Sequence, residues 1–239
     1  MKRNVIVGQS GGPTAAINSS LAGVYRTAKD RGAQKVYGML HGVQGLLEEN
    51  YIDLADHIKT ELDVELLKRT PAAFLGSCRY KLPEIHENRE VYDKIFAILE
   101  KLDIEAFIYI GGNDFMDTIK KLSDYAIITG FSTRFIGCPK TIDNDLALTD
   151  HTPGYGSAAK YIGTSMKEII RDSFCLENEN GIVTIVEIMG RNAGWLTGSA
   201  ALSEGEDCEG PDLIYLPETT FDLQAFGRRV RDLLEEKTS

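Results

Sequence analysis

Three aspartates and a lysine lie close together in and just after the segment PKTIDND, residues 139–145. Asp143 and Asp145 are separated by one residue, so on an extended segment their side chains would point the same way. Lys140 precedes them and Asp150 follows them. Phosphoryl transfer needs a base for the attacking hydroxyl, a carboxylate for a metal ion and a cation against the developing charge. The segment can supply all three, and a solvated acidic turn is the alternative.

Three further segments place glycines between a short apolar run and a predicted helix. They are GQSGGPT at residues 8–14, GGND at residues 111–114 and MGRNAGW at residues 189–195. In an open α/β sheet, ligands bind at the carboxyl ends of strands, where helix N-termini attract anions. The sequence therefore predicts a crevice for a phosphate-containing ligand at these turns.

Each of the first two turns also has a simpler explanation. Gly11 and Gly12 would allow a phosphate to approach the backbone closely, but glycines also occur in ordinary tight turns, and GQSGGPT lacks the lysine of a Walker A loop. Thr14 would cap the following helix in either case. Asn113 and Asp114 could coordinate a hard cation or could cap a helix.

Two arginines are candidate anion ligands. Arg191 directly precedes a predicted helix, and its planar guanidinium suits a phosphate ester, although a salt bridge at the helix start would also explain it. Arg79, in FLGSCRY, is the weaker candidate because such a residue is more often a surface charge. The four histidines stand in no nucleophile or metal-ligand pattern, and the four cysteines form no CxxC pair, which indicates reduced, mostly buried thiols.

The elements that must position these residues are those of parallel βα units, because short Val- and Ile-rich runs alternate with segments of helical period. Strands are predicted at residues 4–7, 36–39, 107–110, 127–128, 135–137, 183–188 and 213–216. Helices are predicted at residues 15–29, 115–122, 158–176, 193–202 and 222–237. A hinge is expected at the turn of residues 153–156, which divides the chain into residues 1–155 and 156–239.

The composition limits the class of protein. The chain has 239 residues, 43% of them hydrophobic, and its 26 basic and 36 acidic residues give a net charge of -10. This charge argues against a general binder of nucleic acid or of anionic membranes. No run approaches the roughly 20 apolar residues of a membrane span, and no signal-peptide core is present, so a cytoplasmic protein is expected.

Six ordered motifs resemble the phosphofructokinase superfamily, and in particular its pyrophosphate-dependent branch: GGPTAAIN, FLGSCR, GGND, PKTIDND, PGYGSA and MGRNAGW. The resemblance implies a phosphofructokinase-like α/β fold of two similar three-layer lobes with mostly parallel sheets, the second lobe incomplete. Residues 1–155 would form the donor-binding lobe and residues 156–239 part of the sugar-phosphate-binding lobe. The implied reaction transfers a phosphoryl group from pyrophosphate to the 1-hydroxyl of fructose 6-phosphate, with Mg²⁺, in a homo-oligomer.

The resemblance also implies which residues bind the sugar phosphate. Asp143 would be the base for the 1-hydroxyl, and Thr141, Ile142 and Asp143 would contact the sugar. The phosphate of the sugar would be bound by the remaining acceptor residues, Met189, Gly190 and Arg191. Many relatives place an additional arginine for this phosphate where this chain has Ile182.

On the donor side, the resemblance implies that Gly12 and Arg79 contact the donor phosphates. Asn113 and Asp145 would lie near magnesium. A bulky ring, Phe115, follows GGND where relatives usually carry a small hydroxyl residue, so the ring could intrude on the magnesium or phosphate pocket.

Donor choice is expected to depend on Asp114 and Lys140, which with Asp143 are the predicted catalytic residues. ATP-using relatives commonly have glycine at both positions. The Asp114 carboxylate would crowd and repel the α-phosphate of ATP, and Lys140 would add a cation for the shorter pyrophosphate. Two alternatives remain: an ATP-dependent 6-phosphofructokinase, and a non-catalytic fragment or subunit that binds phosphate ligands or a full-length partner.

Overall fold

The computed structural model describes residues 3–176 and 181–238, without the side chains of Asn113, Asp114 and Thr238. The chain divides into two compact units, Met1–Thr141 and Ile142–Ser239, called unit 1 and unit 2 below. This division falls inside PKTIDND, whereas the predicted boundary lay between residues 155 and 156. The roles predicted for the two lobes stay predictions.

Unit 1 is built on a five-stranded sheet with the order β3-β2-β1-β4-β5. Strand β1 pairs in parallel with β2 and β4, strand β4 pairs in parallel with β5, and the short β3 lies antiparallel to β2. The strands are β1 (Asn4–Gln9), β2 (Val36–Met39), β3 (Tyr51–Asp53), β4 (Ile104–Gly111) and β5 (Arg134–Pro139). The mostly parallel sheet is confirmed, and β3 was not predicted.

Five α-helices accompany this sheet. They are α1 (Ile17–Asp30), α2 (Gly42–Leu47), α3 (Glu61–Arg69), α4 (Arg89–Lys101) and α5 (Asn113–Thr129), with a short 3-10 helix at Leu54–Asp56. Helices α1 and α5 were predicted, and α2, α3 and α4 were not. The strand predicted at residues 127–128 is wrong, because both isoleucines lie in the last turn of α5. The C-cap of this helix is Gly130, with φ +70°.

Two hydrophobic cores cover the two faces of the sheet. Val5 and Val7 pack with residues of α1 and α3 in one core, and Ile6 packs with residues of α4 and α5 in the other. Successive side chains of a strand point to opposite faces, so a sheet covered on both sides needs nearly continuous apolar strands. This is why the short Val- and Ile-rich runs predicted strands well in unit 1.

The regular elements of unit 2 in its described part, residues 142–176 and 181–238, are helices separated by irregular backbone. Its elements are α6 (Tyr155–Phe174), α7 (Trp195–Gly198), a 3-10 helix (Ser199–Ser203) and α8 (Leu223–Thr238). The helices predicted at residues 158–176 and 222–237 are confirmed. The helix predicted at residues 193–202 is divided between α7 and the 3-10 helix.

The two strands predicted in unit 2, at residues 183–188 and 213–216, are wrong, because both segments have irregular backbone. Val183 is 50% exposed, Ile185 77% and Tyr215 41%. A strand exists only through hydrogen bonds to a neighbouring strand, and an apolar, β-branched sequence does not supply that neighbour.

Two smaller expectations concern the thiols and the membrane. All four cysteines are free, but only Cys78 and Cys208 are buried, while Cys138 is half-buried and Cys175 is exposed. None of the described helices combines the length and the apolar composition needed to cross a bilayer.

Candidate functional site

The GQSGGPT turn connects β1 to α1 and carries the first predicted ligand contact. Gly11 has φ +75°, a conformation that favours glycine. Gly12 is exposed, and a Cβ atom added to it would meet nothing within 4 Å, so the backbone is open to a ligand there. The predicted capping role of Thr14 is wrong, because the N-cap of α1 is Ala16 without a side-chain cap. Thr14 Oγ1 is buried and has no hydrogen-bond partner among the described residues.

The GGND turn follows the adjacent strand. Gln9 and Ile110 are partners in the register of β1 and β4, and a Cβ atom on Gly11 would lie 3.8 Å from the Gly112 nitrogen. The first two glycine turns therefore lie side by side, as predicted. Asn113 and Asp114 are the first residues of α5, and their side chains lie outside the described part of the structure.

Lys140 follows β5 and lies across the ends of three strands. Its backbone N–H donates to the Gly111 oxygen at 2.8 Å, and its Nζ donates to the Gly12 oxygen at 2.5 Å. The residue is only 3% exposed. A buried ammonium group is stable only when polar partners replace its water. Lys140 thus places a positive charge directly against the GQSGGPT turn.

A buried polar network, not predicted from the sequence, holds the FLGSCR segment beside this turn. The Gln9 side-chain oxygen accepts from the Leu75 N–H at 2.8 Å, and its Nε2 donates to Asn18 Oδ1 at 3.0 Å. Asn18 Oδ1 also accepts from the Phe74 N–H at 2.9 Å. The only sequence signal was a pair of polar residues at the end of an apolar run and within the first turn of α1. Buried polar groups of this kind are costly unless all are paired, so the network fixes the segment.

The end of FLGSCR contacts the glycine turn directly. The Ser77 hydroxyl donates to the Gly11 oxygen, and the Gly11 N–H donates to the Cys78 oxygen at 3.3 Å. Arg79 is the next residue, and it is exposed. The two segments whose glycine and arginine were predicted to contact the donor are therefore neighbours.

The predicted intrusion of Phe115 into the phosphate pocket is wrong. Phe115 is 1% exposed and packs in the core, edge to face with Tyr109 at a ring-centroid distance of 6.2 Å. A Cβ atom on Gly111 would lie 2.9 Å from Phe115, and one on Gly137 would lie 3.1 Å from its ring. The glycines of β4 and β5 thus make room for the ring inside the core.

Asp143 and Asp145 belong to unit 2, in a loop whose backbone is not extended. Asn144 between them has φ +55°, so the alternation expected of an extended segment does not apply. The Asn144 side chain is buried. It donates to the Asp150 backbone oxygen at 3.1 Å and accepts from the Thr152 backbone N–H at 2.8 Å. Asn144 therefore fixes the loop, while Asp143 is half-buried and Asp145 is exposed.

The other predicted contacts of the sugar lie on both sides of the division between the units. Thr141 is 8% exposed and is the last residue of unit 1. Ile142 is half-buried and is the first residue of unit 2.

The MGRNAGW segment of unit 2 has a strained turn and exposed side chains. Gly190 has φ +137°, and a Cβ atom there would lie 2.4 Å from the Ala193 oxygen. Met189 and Arg191 are exposed. The prediction that a helix directly follows Arg191 is wrong, because α7 begins only at Trp195.

The amide before α7 already has a carboxylate partner. The Gly194 N–H donates to Glu218 Oε1 at 2.7 Å. A helix N-terminus that binds a carboxylate uses the same unpaired N–H groups that would attract a phosphate. The assignment of the sugar phosphate to Met189, Gly190 and Arg191 therefore rests on the motif alone.

Comparisons with known proteins identify the family of the chain. The chain matches the family "Phosphofructokinase" over residues 4–239. It is 41% identical over 232 residues to the pyrophosphate--fructose 6-phosphate 1-phosphotransferase of Xanthomonas campestris pv. campestris, covering 97% of this chain and 55% of the relative. It is 35% identical to the ATP-dependent 6-phosphofructokinase of Aliivibrio salmonicida, covering 97% of this chain and 65% of the relative.

Among solved structures, the chain is similar to the pyrophosphate-dependent phosphofructokinase from Nitrosospira multiformis. The TM-score is 0.89 at 36% sequence identity, and the similarity covers 98% of this chain and 58% of the other. The chain thus spans little more than half the length of the pyrophosphate-dependent relatives that it matches. The family match and these similarities extend over almost the whole chain. The chain therefore belongs to the phosphofructokinase family.

Proposed function

We propose that this chain carries the donor-binding part and some of the acceptor-binding part of a pyrophosphate-dependent 6-phosphofructokinase. The reaction moves a phosphoryl group from pyrophosphate to the 1-hydroxyl of fructose 6-phosphate and yields fructose 1,6-bisphosphate, a reversible step of glycolysis. The pyrophosphate-dependent relative from Xanthomonas campestris pv. campestris is 41% identical to this chain, and the ATP-dependent relative from Aliivibrio salmonicida is 35% identical.

One observation carries the donor assignment: Lys140 is buried with its Nζ on the Gly12 oxygen. A Cβ atom on Gly11 would lie 3.3 Å from the same Nζ, so the cation occupies the floor of the turn. An ammonium group at this position offers charge to a small, highly charged donor. It also occupies volume that a glycine at position 140 would leave empty, which disfavours a bulkier nucleotide. The parallel argument for Asp114 stays a prediction from the sequence.

The proposed chemistry assigns one step to each group. The Asp143 carboxylate accepts the proton of the 1-hydroxyl, whose oxygen forms a bond to the transferred phosphorus. The bond from that phosphorus to the bridging oxygen of pyrophosphate breaks, and orthophosphate leaves. Lys140 and Arg79 offset negative charge on the donor, and Gly12 lets the phosphates approach the backbone. Thr141, Ile142, Met189, Gly190 and Arg191 are proposed to orient the sugar phosphate.

Magnesium suits this set of residues. Among residues 3–176 and 181–238, no group of three or more His, Cys, Asp or Glu side chains forms a metal site. Mg²⁺ is commonly bound by only one or two carboxylates together with substrate phosphates, so such a cage is not required. Exposed Asp145 and, from the motif, Asn113 are the residues proposed to lie near it. When bound, Mg²⁺ would neutralise charge on the phosphates.

A coupled assay with fructose 6-phosphate, Mg²⁺ and either pyrophosphate or ATP tests the proposal. We expect turnover with pyrophosphate, and Asp143→Asn should lower kcat by about 10²–10⁴-fold because a general base acts in the transition state. Pyrophosphate affinity should stay within about twofold, because Asp143 does not bind the donor. Asp150→Asn, an exposed acid of the same loop, is the matched control and should keep full turnover. Turnover with ATP as donor but not with pyrophosphate would overturn the donor assignment.

A second candidate function is a non-catalytic subunit that binds phosphate ligands or a full-length partner. The observation that favours it is the exposure of apolar residues at 182–186 in unit 2. Pyrophosphate binding without turnover from either donor would support this candidate against the first. Homo-oligomer formation and a cytoplasmic location belong to the first proposal, and size measurement of the purified protein tests the oligomer.

A further inference from the structure

A groove of about 660 Å³ lies on unit 1, and the proposed mechanism uses only one of its residues. This volume falls within the roughly 300–1,000 Å³ typical of small-molecule sites. Three cationic side chains line it, Arg79, Lys81 and Lys94, and a single carboxylate, Glu48. The groove is therefore cationic in a chain whose net charge is -10.

The three cations have no ion-pair partner within the described part of the chain, and all three are exposed. Glu49 lies near enough to Lys94 for that lysine to help lower the pKa of its carboxyl, but Glu49 is already paired with Lys101, the main cause of the shift. Exposed cations clustered in a concave surface create a local positive potential that attracts a polyanion.

The groove adjoins the proposed donor site through the backbone. Cys78, whose oxygen accepts from the Gly11 N–H, directly precedes Arg79, and Arg79 lines the groove. Arg79 thus belongs both to the proposed donor contacts and to the lining of the groove, so a phosphate bound at Arg79 has Lys81 and Lys94 as further cations of the same groove.

We propose that this groove binds the phosphates beyond the second of a linear inorganic polyphosphate, with tripolyphosphate as the shortest such ligand. The inference rests on the proposed function, because it extends the pyrophosphate site. A repeating chain of anions matches successive cations, each of which can form charge-assisted hydrogen bonds to phosphate oxygens. A nucleotide would place a neutral base among the same cations. Among the lining residues, only Tyr80 has an aromatic side chain on which such a base could stack.

Titration calorimetry at constant ionic strength and Mg²⁺ concentration, without fructose 6-phosphate, tests the inference. Tripolyphosphate should bind about tenfold more tightly than pyrophosphate, because it alone contacts the outer cations. Equal affinity of the unaltered protein for the two ligands would overturn the inference. Tighter binding of ATP than of tripolyphosphate would also overturn it, since the groove would then serve a nucleotide.

The double variant Lys81→Gln/Lys94→Gln locates the effect. It should lose the tenfold preference while its pyrophosphate affinity stays unchanged. The matched control Lys29→Gln/Lys59→Gln removes the same charge from exposed positions of unit 1 outside the groove, so it should keep the preference. A preference retained by the first variant, or lost equally by both, contradicts the proposed site.

The outcome is separable from that of the proposed function. Turnover with pyrophosphate and no preference for tripolyphosphate would reject only the groove. A preference for tripolyphosphate without turnover would reject only the phosphotransferase activity.

Discussion

Unit 1 and unit 2 contain similar apolar, β-branched runs, yet only unit 1 arranges them into a sheet. In unit 1, Ile6 and Phe107 are paired on adjacent strands and are fully buried between the sheet and a helical layer. In unit 2, Ile185 lies in irregular backbone and is 77% exposed. The same local preference therefore has different results, because a strand is stabilised by its partners and by burial of its faces.

The loops of the two units differ in a related way. The GQSGGPT turn of unit 1 is surrounded by two other strand ends and contacts Lys140, Ser77 and Cys78. The MGRNAGW turn of unit 2 has a strained Gly190 and exposed Met189. Backbone held by several paired strands has fewer accessible conformations than backbone held only by its own turn residues. The turn of unit 1 is therefore the more constrained of the two.

The largest expected effect distinguishes the buried apolar runs of unit 1 from the exposed apolar runs of unit 2. Phe107→Ala, in the central strand β4, should lower the free energy of unfolding by about 3–5 kcal/mol because it leaves a cavity in a filled core. Ile185→Ala should change it by no more than about 0.5 kcal/mol, because the side chain is mostly solvated. Denaturant unfolding of both variants measures the difference. A cost for Ile185→Ala as large as that for Phe107→Ala would show that the segment around residue 185 is packed in solution.

A pair of glycine variants compares the two loops. Gly190→Ala should cost about 1–3 kcal/mol, because φ +137° is unfavourable for alanine and the Ala193 oxygen lies 2.4 Å from the new Cβ. Gly12→Ala should instead stabilise the free protein by about 0.4–1 kcal/mol, because its φ is not positive and its Cβ meets no atom. Thermal unfolding measures both signs.

The same Gly12→Ala variant tests ligand approach. Its pyrophosphate affinity should fall although its stability rises, since the methyl group occupies the space proposed for phosphate. Unchanged affinity in calorimetry would argue against donor contact at Gly12.

A smaller effect is expected at Thr14, whose buried hydroxyl has no described hydrogen-bond partner. Thr14→Val keeps the shape and removes the polar group, so the ligand-free protein should gain about 1 kcal/mol. If a donor phosphate normally accepts from this hydroxyl, pyrophosphate affinity should fall at the same time. Thr14→Ser is the control, because it retains the hydroxyl and should retain the affinity. A loss of stability in Thr14→Val would show that the hydroxyl is satisfied in the free protein.

Tyr92 of unit 1 is expected to make the stability of the protein depend on alkaline pH. Burial, chiefly, raises the pKa of Tyr92 to about 12, above the roughly 10 of an unfolded tyrosine. The folded state therefore retains this proton longer than the unfolded state. Its stabilising contribution is complete below pH 10 and is lost as the pH rises through 12.

Unfolding free energies measured between pH 9 and 12 test this sign. Tyr92→Phe should weaken the dependence, whereas Tyr161→Phe, at a tyrosine of unit 2 that is 73% exposed, should not. An equal change in the pH dependence of both variants would show that the burial of Tyr92 does not cause this dependence.

Much of unit 1 could be predicted from the sequence, because its signals are local. The alternation of apolar runs with helical segments predicted β1, β2, β4, β5, α1 and α5. Helix α3 was not predicted, although it begins with the capping box of Thr60 and Asp63, which is a local signal of the sequence. The strand predicted at residues 127–128 failed because two adjacent isoleucines fit a strand and an exposed helix turn equally well.

For the site, the sequence indicated residue types but not their arrangement. Motif order indicated phosphoryl transfer and the residue types that perform it. Neither the burial of Lys140 against Gly12 nor the burial of Phe115 in the core could be read from GGND or PKTIDND, because each depends on contacts between distant segments.

The sequence by itself determined the family and the apolar runs from which strands form, since these depend on residue identity and short-range periodicity. Only the tertiary structure decided which runs become strands, which glycines face open space and which cation lies beneath the turn. These outcomes depend on pairing and burial between segments that the chain brings together only on folding, and no local pattern specifies them.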